Sequence, residues 1–244
     1  MLKNVYLRDP KKKEKKVLAK EKILVVAAHP DDEVLGCGAA ISRLVQDGSE
    51  AYVLILGEGV TSRDNARDAE KRAKDIERLK DHSRRANKIM GVKEVFFCDF
   101  PDNRFDTIAF IDIVKAIEKI KNDTKSSVIF THYEGDLNID HQLTFKAVLT
   151  ATRPLANEPV KEIYSFEVPS STEWRYPYSF SPDVFLDISK TINVKLEAMG
   201  EYKDELRDDS HPRSISAIKL RAQDWGVKAG IGCAEVFKTI RVVR

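Results

Sequence analysis

The sequence predicts an α/β fold in which a mostly parallel sheet carries helices on both faces. Over residues 22–153, short apolar runs alternate with longer stretches whose apolar residues recur at helical spacing. This alternation is typical of β-α-β units around a parallel sheet. A chain of 244 residues that is 42% apolar is also long enough to bury one large core without disulfides or structural metals.

Each of the first strands is a short apolar run that leads toward a helix. KILVVAA at 22–28 is the first predicted strand, and small residues open a helix over 33–48 that Gly48 ends. EAYVLILG at 50–57 predicts the second strand. A polar loop follows it, and then a long charged helix at about 66–90.

The regular pattern continues to the fourth strand and then loosens. The remaining predicted elements are a strand at 94–100, a helix at 107–123, a strand at 127–133, a helix at 141–153, a strand that begins near residue 160, an edge-type strand at 184–189, and helices at about 192–206 and 215–227. No linker divides the chain, so we expect a single domain over 21–244 with an irregular carboxyl-terminal third. A basic leader at 1–20 precedes it.

Charge and cysteine content argue against several classes of protein. The 41 basic and 39 acidic residues leave a formal net charge of +2, which gives no electrostatic case for a nucleic acid or an anionic membrane as partner. We interpret the run KKKEKK in the leader as a solvated charge run. Cys37, Cys98 and Cys233 have no short paired spacing, which disfavours a disulfide framework. With no signal-peptide core and no membrane span, a cytoplasmic protein is expected.

Two polar loops are predicted to face each other. In an open parallel sheet, ligands bind at the carboxyl ends of the strands, at the point where the strand order reverses. The first and fourth strands are neighbours there in the commonest order. The loops that follow them, HPDDE at 29–33 and THYEGDLNIDH at 131–141, are the most polar His-bearing loops in the sequence. They should therefore line one crevice.

These loops carry the residue types of a catalytic zinc site. His29 and Asp32 can aim an imidazole nitrogen and a carboxylate oxygen at one point, and His141 can supply a third ligand from the other loop. Two histidines and a carboxylate, with a fourth position left open, are typical of catalytic zinc rather than structural zinc. Asp31 lies beside this set without belonging to it, as a general base must. One Zn²⁺ per chain is expected, with another divalent metal such as Fe²⁺ as the alternative.

Simpler interpretations exist for each of these residues alone. Either Asp31 or Asp32 would serve as an ordinary helix cap, with Glu33 supporting the helix start, and a single His in a loop is commonly a hydrogen-bonded structural residue. The combination favours a metal, because burying two acids and several histidines together is costly unless a cation organises them. The segment GCG at 36–38 lacks the spacing of a dinucleotide loop, and no G-x-S-x-G motif is present.

The segments AAHPDDEVLGCG and DLNIDH, about a hundred residues apart, resemble motifs of the LmbE-like N-acetylglucosaminyl deacetylase family, also called PIG-L. GEGVTSR, FPDNRFD, EVPSSTEW and HPRS are similar to segments of bacterial members, so the resemblance spans most of the chain. It implies a Rossmann-like fold and a zinc-dependent hydrolysis of an N-acetyl group from an amino sugar or its conjugate. It also implies that His29, Asp32 and His141 bind zinc and that Asp31 is the general base.

The second motif departs from the pattern of many relatives, which have His-Pro-Asp-His there. In those relatives the first histidine helps to stabilise the oxyanion and the aspartate, here Asp140, orients it. Asn138 stands at the position of that histidine. An amide donates a hydrogen bond but carries no positive charge. We therefore count Asn138, Asp140 and His211 as catalytic candidates, with His211 or His132 supplying the missing imidazole.

Further polar residues are expected at the mouth of the crevice. Glu58 and Arg63 follow the second strand, Asn103 and Arg104 follow the third, and Trp174 offers an apolar face to a sugar ring. For either arginine, a structural ion pair is an equally good interpretation. The predicted substrate-binding residues are Glu58, Arg63, Asn103, Arg104, His132 and Trp174.

The predicted function is that of a zinc-dependent deacetylase with a small amino-sugar substrate. One alternative is a zinc amidase that acts on another amide, such as a thiol-sugar conjugate. The other is a non-catalytic module that binds a metal or a sugar. Asp31 favours an enzyme, because a binding module needs the ligands but not the base. The sequence leaves the substrate open, and it leaves open whether the chain forms a homo-oligomer.

Overall fold

The computed structural model describes residues 20–244, which contain seven strands and six helices besides short 3-10 turns. The basic run KKKEKK, and with it all but the last residue of the predicted leader, lies outside the described residues. The strands are β1 (Lys22–Ala27), β2 (Glu50–Gly57), β3 (Glu94–Phe100), β4 (Val128–His132), β5 (Glu162–Phe166), β6 (Val184–Asp187) and β7 (Ala234–Val242). The helices are α1 (Asp32–Gln46), α2 (Ala73–Met90), α3 (Phe110–Thr124), α4 (Ile139–Ala151), α5 (Ile192–Glu201) and α6 (Ile215–Ala229).

All seven strands form one sheet with the order β3-β2-β1-β4-β5-β7-β6. The first five strands in this order are parallel, and β7 runs antiparallel to both β5 and β6. The predicted α/β class is therefore confirmed. The strand order reverses between β1 and β4, which pair directly, so the polar loops that follow these two strands leave the sheet side by side.

The sheet separates two apolar clusters. Ile23 and Val25 of β1 pack into the cluster that also holds α1, α2 and α5 residues, whereas Leu24 and Val26 pack on the opposite face with α3 and α4. All four side chains are fully buried. A strand covered on both faces has no polar side, which is why ILVVAA at 23–28 is an uninterrupted apolar run.

The structure differs from the predicted elements in three places. The nine-residue strand β7 was not predicted, because its buried half, AEVF, is too short to show alternation on its own and its second half looks like a polar tail. Helix α2 begins at Ala73 rather than near 66, since the preceding charged residues form a loop held by the ion pair of Arg72 with Asp64. Helix α5 ends at Glu201, so residues 202–214 form an irregular segment instead of a last helical turn.

Helix α1 is broken after its first turn. Cys37 has a non-helical backbone (φ −149°), and the backbone N–H groups of Ala39 and Ala40 donate to the buried carboxylate of Glu235 from β7. Lys195 neutralises this carboxylate and also donates to the Leu35 carbonyl. The carboxylate of Glu235 thus takes the place of helical partners at the break, and it fixes the direction of the short first turn.

Close packing places this first turn against the sheet. A Cβ atom on Gly36 would lie 2.2 Å from the Phe166 ring at the end of β5, so only glycine permits this approach. The first residues of α1, which include Asp32, therefore lie directly above the carboxyl ends of β1 and β4. No helix within residues 20–244 is long and apolar enough to cross a membrane.

Candidate active site

A polar cavity of about 200 Å³ opens at the carboxyl ends of the parallel strands. The loops after β1, β2, β3, β4 and β5 each contribute to its lining, and the irregular segment 202–214 covers one side. Its lining side chains are almost all charged or hydrogen-bonding groups. A cavity of this kind suits a small ligand that is rich in polar groups.

Two histidines and one aspartate meet at the base of this cavity. One ligand atom of each of His29, Asp32 and His141 lies within 4.8 Å of the others. Asp32 Oδ2 is 3.4 Å from His29 Nδ1 and 3.3 Å from His141 Nε2. All three side chains are nearly buried, and the donor set suits zinc or a related divalent cation. The structure thus brings together the three residues that the sequence predicted as ligands.

Each imidazole has a carboxylate behind it. His29 Nε2 lies 3.1 Å from Asp140 Oδ2, and His141 Nδ1 lies 3.1 Å from Asp136 Oδ1, although the second contact is not well aligned for a hydrogen bond. Carboxylates in this position orient metal-binding histidines and raise their basicity. In relatives the aspartate at the position of Asp140 was expected to orient the oxyanion histidine, whereas here Asp140 faces His29, a predicted metal ligand.

The electrostatics of the site call for positive charge. Burial lowers the pKa of His141, but the carboxylates of Asp32 and Asp136 outweigh it and raise that pKa to about 9. For Asp136 burial acts in the opposite direction and raises the pKa, but His141 and the hydroxyls of Ser171 and Thr172 outweigh it and lower that pKa to about 2. The two carboxylates therefore favour a cation beside them, and a divalent metal would satisfy this preference as well as a proton does.

A second group of residues also has the composition of a metal site, but its carboxylates already accept hydrogen bonds from neighbouring loops. His29, Asp102 and Asp140 also offer atoms within 4.8 Å of one another. However, Asp102 already accepts hydrogen bonds from the backbone and hydroxyl of Ser62, and Asp140 accepts from the Phe105 N–H at 3.0 Å. These carboxylates hold the loops after β2 and β3 and orient His29, so the first set is the better cation site.

Asp31 points into the cavity without joining the three donors. Its backbone is left-handed (φ 107°), and its N–H donates to Glu33 Oε2 at 3.0 Å. Glu33 is itself held by Asn87 and by Tyr202. Arg213 Nη1 lies 3.0 Å from Asp31 Oδ2. Burial raises the pKa of Asp31, Arg213 opposes this, and the neighbouring acids leave it well above its usual range.

Asn138 lines the cavity, but most of its amide is already engaged. Its oxygen accepts from the Asp140 N–H at 2.8 Å and so caps helix α4, while its nitrogen donates to Asn103 at 2.8 Å. Asn103 continues this chain to Ser62 and Asp102. One N–H of Asn138 is left for a ligand.

Besides Asp140, which lies behind His29, five predicted residues do not line the cavity, and the packing explains each case. His132 is fully buried, since its Nε2 accepts from the Ala28 N–H at 2.8 Å and its ring stacks on His141. Burial, followed by the nearby His141, holds the pKa of His132 well below its usual range. His132 therefore supports the carboxyl ends of β1 and β4 and does not face the cavity.

The other four residues shape the surrounding loops. Glu58 is buried and accepts two hydrogen bonds from Arg67. Arg104 precedes the short 3-10 turn Phe105–Thr107, outside the cavity lining. The Trp174 ring is directed edge-on at His211, with 5.7 Å between ring centroids, and His211 Nδ1 accepts the Arg213 N–H. His211 thus folds the loop that carries Arg213, whereas the cavity itself receives Arg213.

Several cavity residues were not singled out from the sequence. Arg213 and the serines at 170 and 171 belong to HPRS and EVPSSTEW, so the two motifs carried a signal, but the residues predicted from them were His211 and Trp174. Glu205 gave no signal, because the pattern over 192–206 indicated a helix, and Arg207 follows that segment outside any motif. Arg63 and Asn103, which were predicted, do line the cavity.

The fold is also found in a protein named as a hydratase. The 4-carboxy-2-hydroxymuconate hydratase GalB from Pseudomonas putida KT2440 superposes with a TM-score of 0.71 over 92% of this chain and 98% of its own, at 23% sequence identity. Likeness at this level of identity shows the fold alone, so assignment to a family rests on the sequence.

Sequence comparison identifies the family. Residues 24–152 match PIG-L, described as GlcNAc-PI de-N-acetylase. An uncharacterized deacetylase of Escherichia coli (strain K12), YaiS, is 31% identical over 74% of this chain and 90% of its own length. The diacetylchitobiose deacetylase of Thermococcus kodakarensis is 26% identical over 90% of this chain and 83% of its own. The chain therefore belongs to the PIG-L, or LmbE-like, deacetylase family.

Proposed function

We propose that this protein is a zinc-dependent deacetylase that hydrolyses the N-acetyl group of an amino sugar or of an amino-sugar conjugate. The observation that carries the proposal is the pairing of the donor set His29, Asp32 and His141 with Asp31, a carboxylate in the same cavity that is not one of the donors. A binding module has no use for the second carboxylate. An amide hydrolase needs it.

The metal would be held by His29, Asp32 and His141, with Asp140 and Asp136 behind the imidazoles. Zinc bound there supplies Lewis acidity, which polarises an amide carbonyl and lowers the pKa of water. The same donors also suit Fe²⁺, so the identity of the metal is part of the proposal.

Asp31 is proposed as the general base and then the general acid. Its carboxylate faces the cavity beside the donor set, where it would take a proton from the attacking water and return it to the departing amine. Arg213 holds this carboxylate from one side, and its own Nε is fixed by Ser170 Oγ at 2.6 Å. Asp31 is therefore kept at one position through both proton transfers.

The developing negative charge on the acetyl oxygen needs a partner from the chain. His132 and His211, the imidazoles expected for this role, do not line the cavity, whereas the remaining N–H of Asn138 and the guanidinium of Arg213 do. We assign the hydrogen bond to Asn138 and the positive charge to Arg213. A donor of this kind is worth on the order of 10²- to 10³-fold in rate.

The substrate is inferred from the cavity lining. Arg63, Asn103 and Ser62 offer donors and acceptors at the mouth, and such groups bind sugar hydroxyls. A volume of about 200 Å³ lies below the range of about 300–1,000 Å³ common for drug-sized ligands. The space suits a single sugar ring with its acetamido group turned toward the donor set.

The test combines metal analysis with acetate release. The purified protein should contain close to one zinc per chain and should release acetate from at least one member of a panel of N-acetylated amino sugars. Asp31→Asn should keep the metal and lose most of the acetate release. Full activity in this variant would overturn the role of Asp31.

The alternatives give different results in the same assay. Hydrolysis of other amides, such as thiol-sugar conjugates, without acetate release would indicate an amidase of different specificity. Bound zinc with no hydrolysis of any amide would favour the non-catalytic module. Both outcomes would contradict the proposed deacetylase.

A further inference from the structure

The backbone of Asp31, the proposed general base, is strained and is held on both sides. Its φ of 107° lies in the left-handed region, which a residue with a Cβ atom rarely adopts. Its carbonyl accepts from the N–H groups of Val34 and Leu35 at the start of α1. Its own N–H precedes the helix and donates to Glu33 Oε2 at 3.0 Å. A strained conformation of this kind persists only where the surrounding structure holds it.

Glu33 is a buried carboxylate without a cation beside it. Its side chain is 1% exposed, and none of the ion pairs found within residues 20–244 includes it. Burying a carboxylate away from cations is costly, and hydrogen bonds from the protein have to replace those from water.

Two side chains from distant parts of the chain supply these hydrogen bonds. Asn87 of α2 donates through Nδ2 to Glu33 Oε1 at 2.8 Å, and the Tyr202 hydroxyl donates to the same oxygen at 2.5 Å. Asn87 is itself held by the Ser83 carbonyl, and Tyr202 is fully buried directly after α5. Two elements therefore fix Oε1, and Oε2 is turned toward the Asp31 N–H.

The backbone of Asp31 decides where its carboxylate points. This group is proposed to move a proton twice, so its position affects both steps, and a displacement of about 1 Å can cost on the order of 10²-fold in rate. Arg213 contacts one carboxylate oxygen and leaves the backbone free to relax out of the left-handed region. The contact with Glu33 opposes this relaxation, because leaving it would strand a buried N–H.

We propose that Glu33 is a positioning residue for the general base: its carboxylate, oriented by Tyr202 and Asn87, holds the left-handed backbone of Asp31 and thereby directs the Asp31 side chain into the cavity. This inference rests on the proposed function. A residue that only supported the start of α1 would affect the stability of the protein but not the rate per folded molecule.

The first experiment compares two substitutions of Glu33. Glu33→Ala removes the acceptor of the Asp31 N–H, so kcat per bound zinc should fall about 10²-fold, with KM and zinc content within about twofold of the wild type. Glu33→Gln keeps an oxygen for that N–H. Asn87 Oδ1, which has no hydrogen-bond partner within residues 20–244, can turn to accept from the new amide. Because a neutral hydrogen bond is weaker, a loss of about threefold to tenfold is expected.

Three outcomes of this comparison would contradict the proposal. The first is an unchanged kcat in Glu33→Ala. The second is an equal loss in both variants, because Glu33→Gln retains the acceptor. The third is a loss of zinc that accounts for the whole loss of activity.

The second experiment leaves Glu33 in place and removes one of its donors. Tyr202→Phe should lower kcat per bound zinc at least about threefold, with KM unchanged. Tyr164→Phe is the matched control, since Tyr164 is also buried and its hydroxyl donates to the buried Glu162 at 2.6 Å, outside the cavity lining. It should lose comparable stability in thermal unfolding and keep its kcat. If Tyr202→Phe also lost stability and kept its kcat, the contacts of Glu33 would serve folding alone.

Hydrogen exchange tests the contact without relying on acetate release. In Glu33→Ala and Tyr202→Phe the amide of Asp31 should exchange at least about tenfold faster than in the wild type, measured by mass spectrometry of short peptides across residues 29–36. Tyr164→Phe should leave this rate unaltered. Unchanged protection in both test variants would overturn the role of Glu33. If the wild-type protein releases no acetate from any substrate, the proposed function fails, and the exchange rates still decide whether Glu33 holds the Asp31 backbone.

Discussion

The two walls of the active-site cavity are built in different ways. The strand-end wall, residues 29–33 and 136–141, follows β1 and β4 and is held by buried hydrogen bonds, such as those that Glu33, Asp136 and Asp140 accept. The carboxyl-terminal wall, residues 202–214, is irregular and is attached through ion pairs such as those of Glu205 with Arg63 and Arg213 with Asp31.

This difference separates fixed chemistry from adaptable binding. Buried groups that are hydrogen-bonded within the protein hold one geometry, because an alternative would leave polar atoms unpaired. In the ion pairs of the carboxyl-terminal wall the carboxylates are buried but the arginines are partly exposed, so solvent or a ligand can compete for the arginines. The strand-end wall is therefore expected to set the rate of the reaction, and the carboxyl-terminal wall to set which substrate is bound.

The largest effect is expected from a metal ligand on the strand-end wall. His141→Ala removes one of three donors, so the purified variant should lose most of its zinc and at least about 10³-fold of its acetate release. His82→Ala on α2, which lies outside the cavity lining, is the control. Full zinc content and activity in His141→Ala would exclude His141 as a ligand.

A smaller loss is expected from the carboxylate behind this ligand. Asp136→Asn keeps the shape of the side chain but removes the charge 3.1 Å from His141 Nδ1. Metal affinity, measured by competition with a chelator, should fall about 10- to 100-fold. Added zinc should restore the activity, which would not happen if Asp136 were needed for folding alone. Asp106→Asn, an exposed change, should leave the affinity unaltered.

The strand-end wall was also the predictable part of the molecule. Strands β1 to β4 lie within about a residue of their expected positions, because apolar runs between helical patterns mark buried parallel strands. Once β1 and β4 are neighbours, the ends of these strands bring His29, Asp32 and His141 together, so local motifs were enough to predict the donor set.

The carboxyl-terminal wall is formed by long-range contacts, which local sequence patterns do not reveal. Arg213 reaches Asp31 across 182 residues of sequence, and which residue of HPRS enters the cavity depends on His211 turning back on its own loop. Glu205 was expected in a helix, and β7 was not expected at all, since its pairing with β5 and β6 decides its conformation.

Arg213 joins the two walls, so an intermediate effect is expected there. Arg213→Lys keeps the charge but cannot bond Ser170 and Asp31 together, and kcat should fall about tenfold with a smaller change in KM. Arg213→Ala should lose more and should be partly rescued by millimolar guanidinium. A rise in KM alone, without rescue, would assign Arg213 to substrate binding instead of to the positioning of Asp31.

The smallest effect is expected from Arg207, which belongs to the carboxyl-terminal wall alone. Its Nη1 donates to the carbonyls of Asp204 and Leu206, and no acidic partner occurs for it among the ion pairs of residues 20–244. Arg207→Gln should raise KM about two- to fivefold and leave kcat unchanged, because such a group binds the ground state and the transition state equally. Arg175→Gln, exposed and outside the cavity lining, is the matched control. If kcat fell together with kcat/KM in Arg207→Gln, the carboxyl-terminal wall would take part in the reaction itself. The division between a wall for chemistry and a wall for binding would then fail.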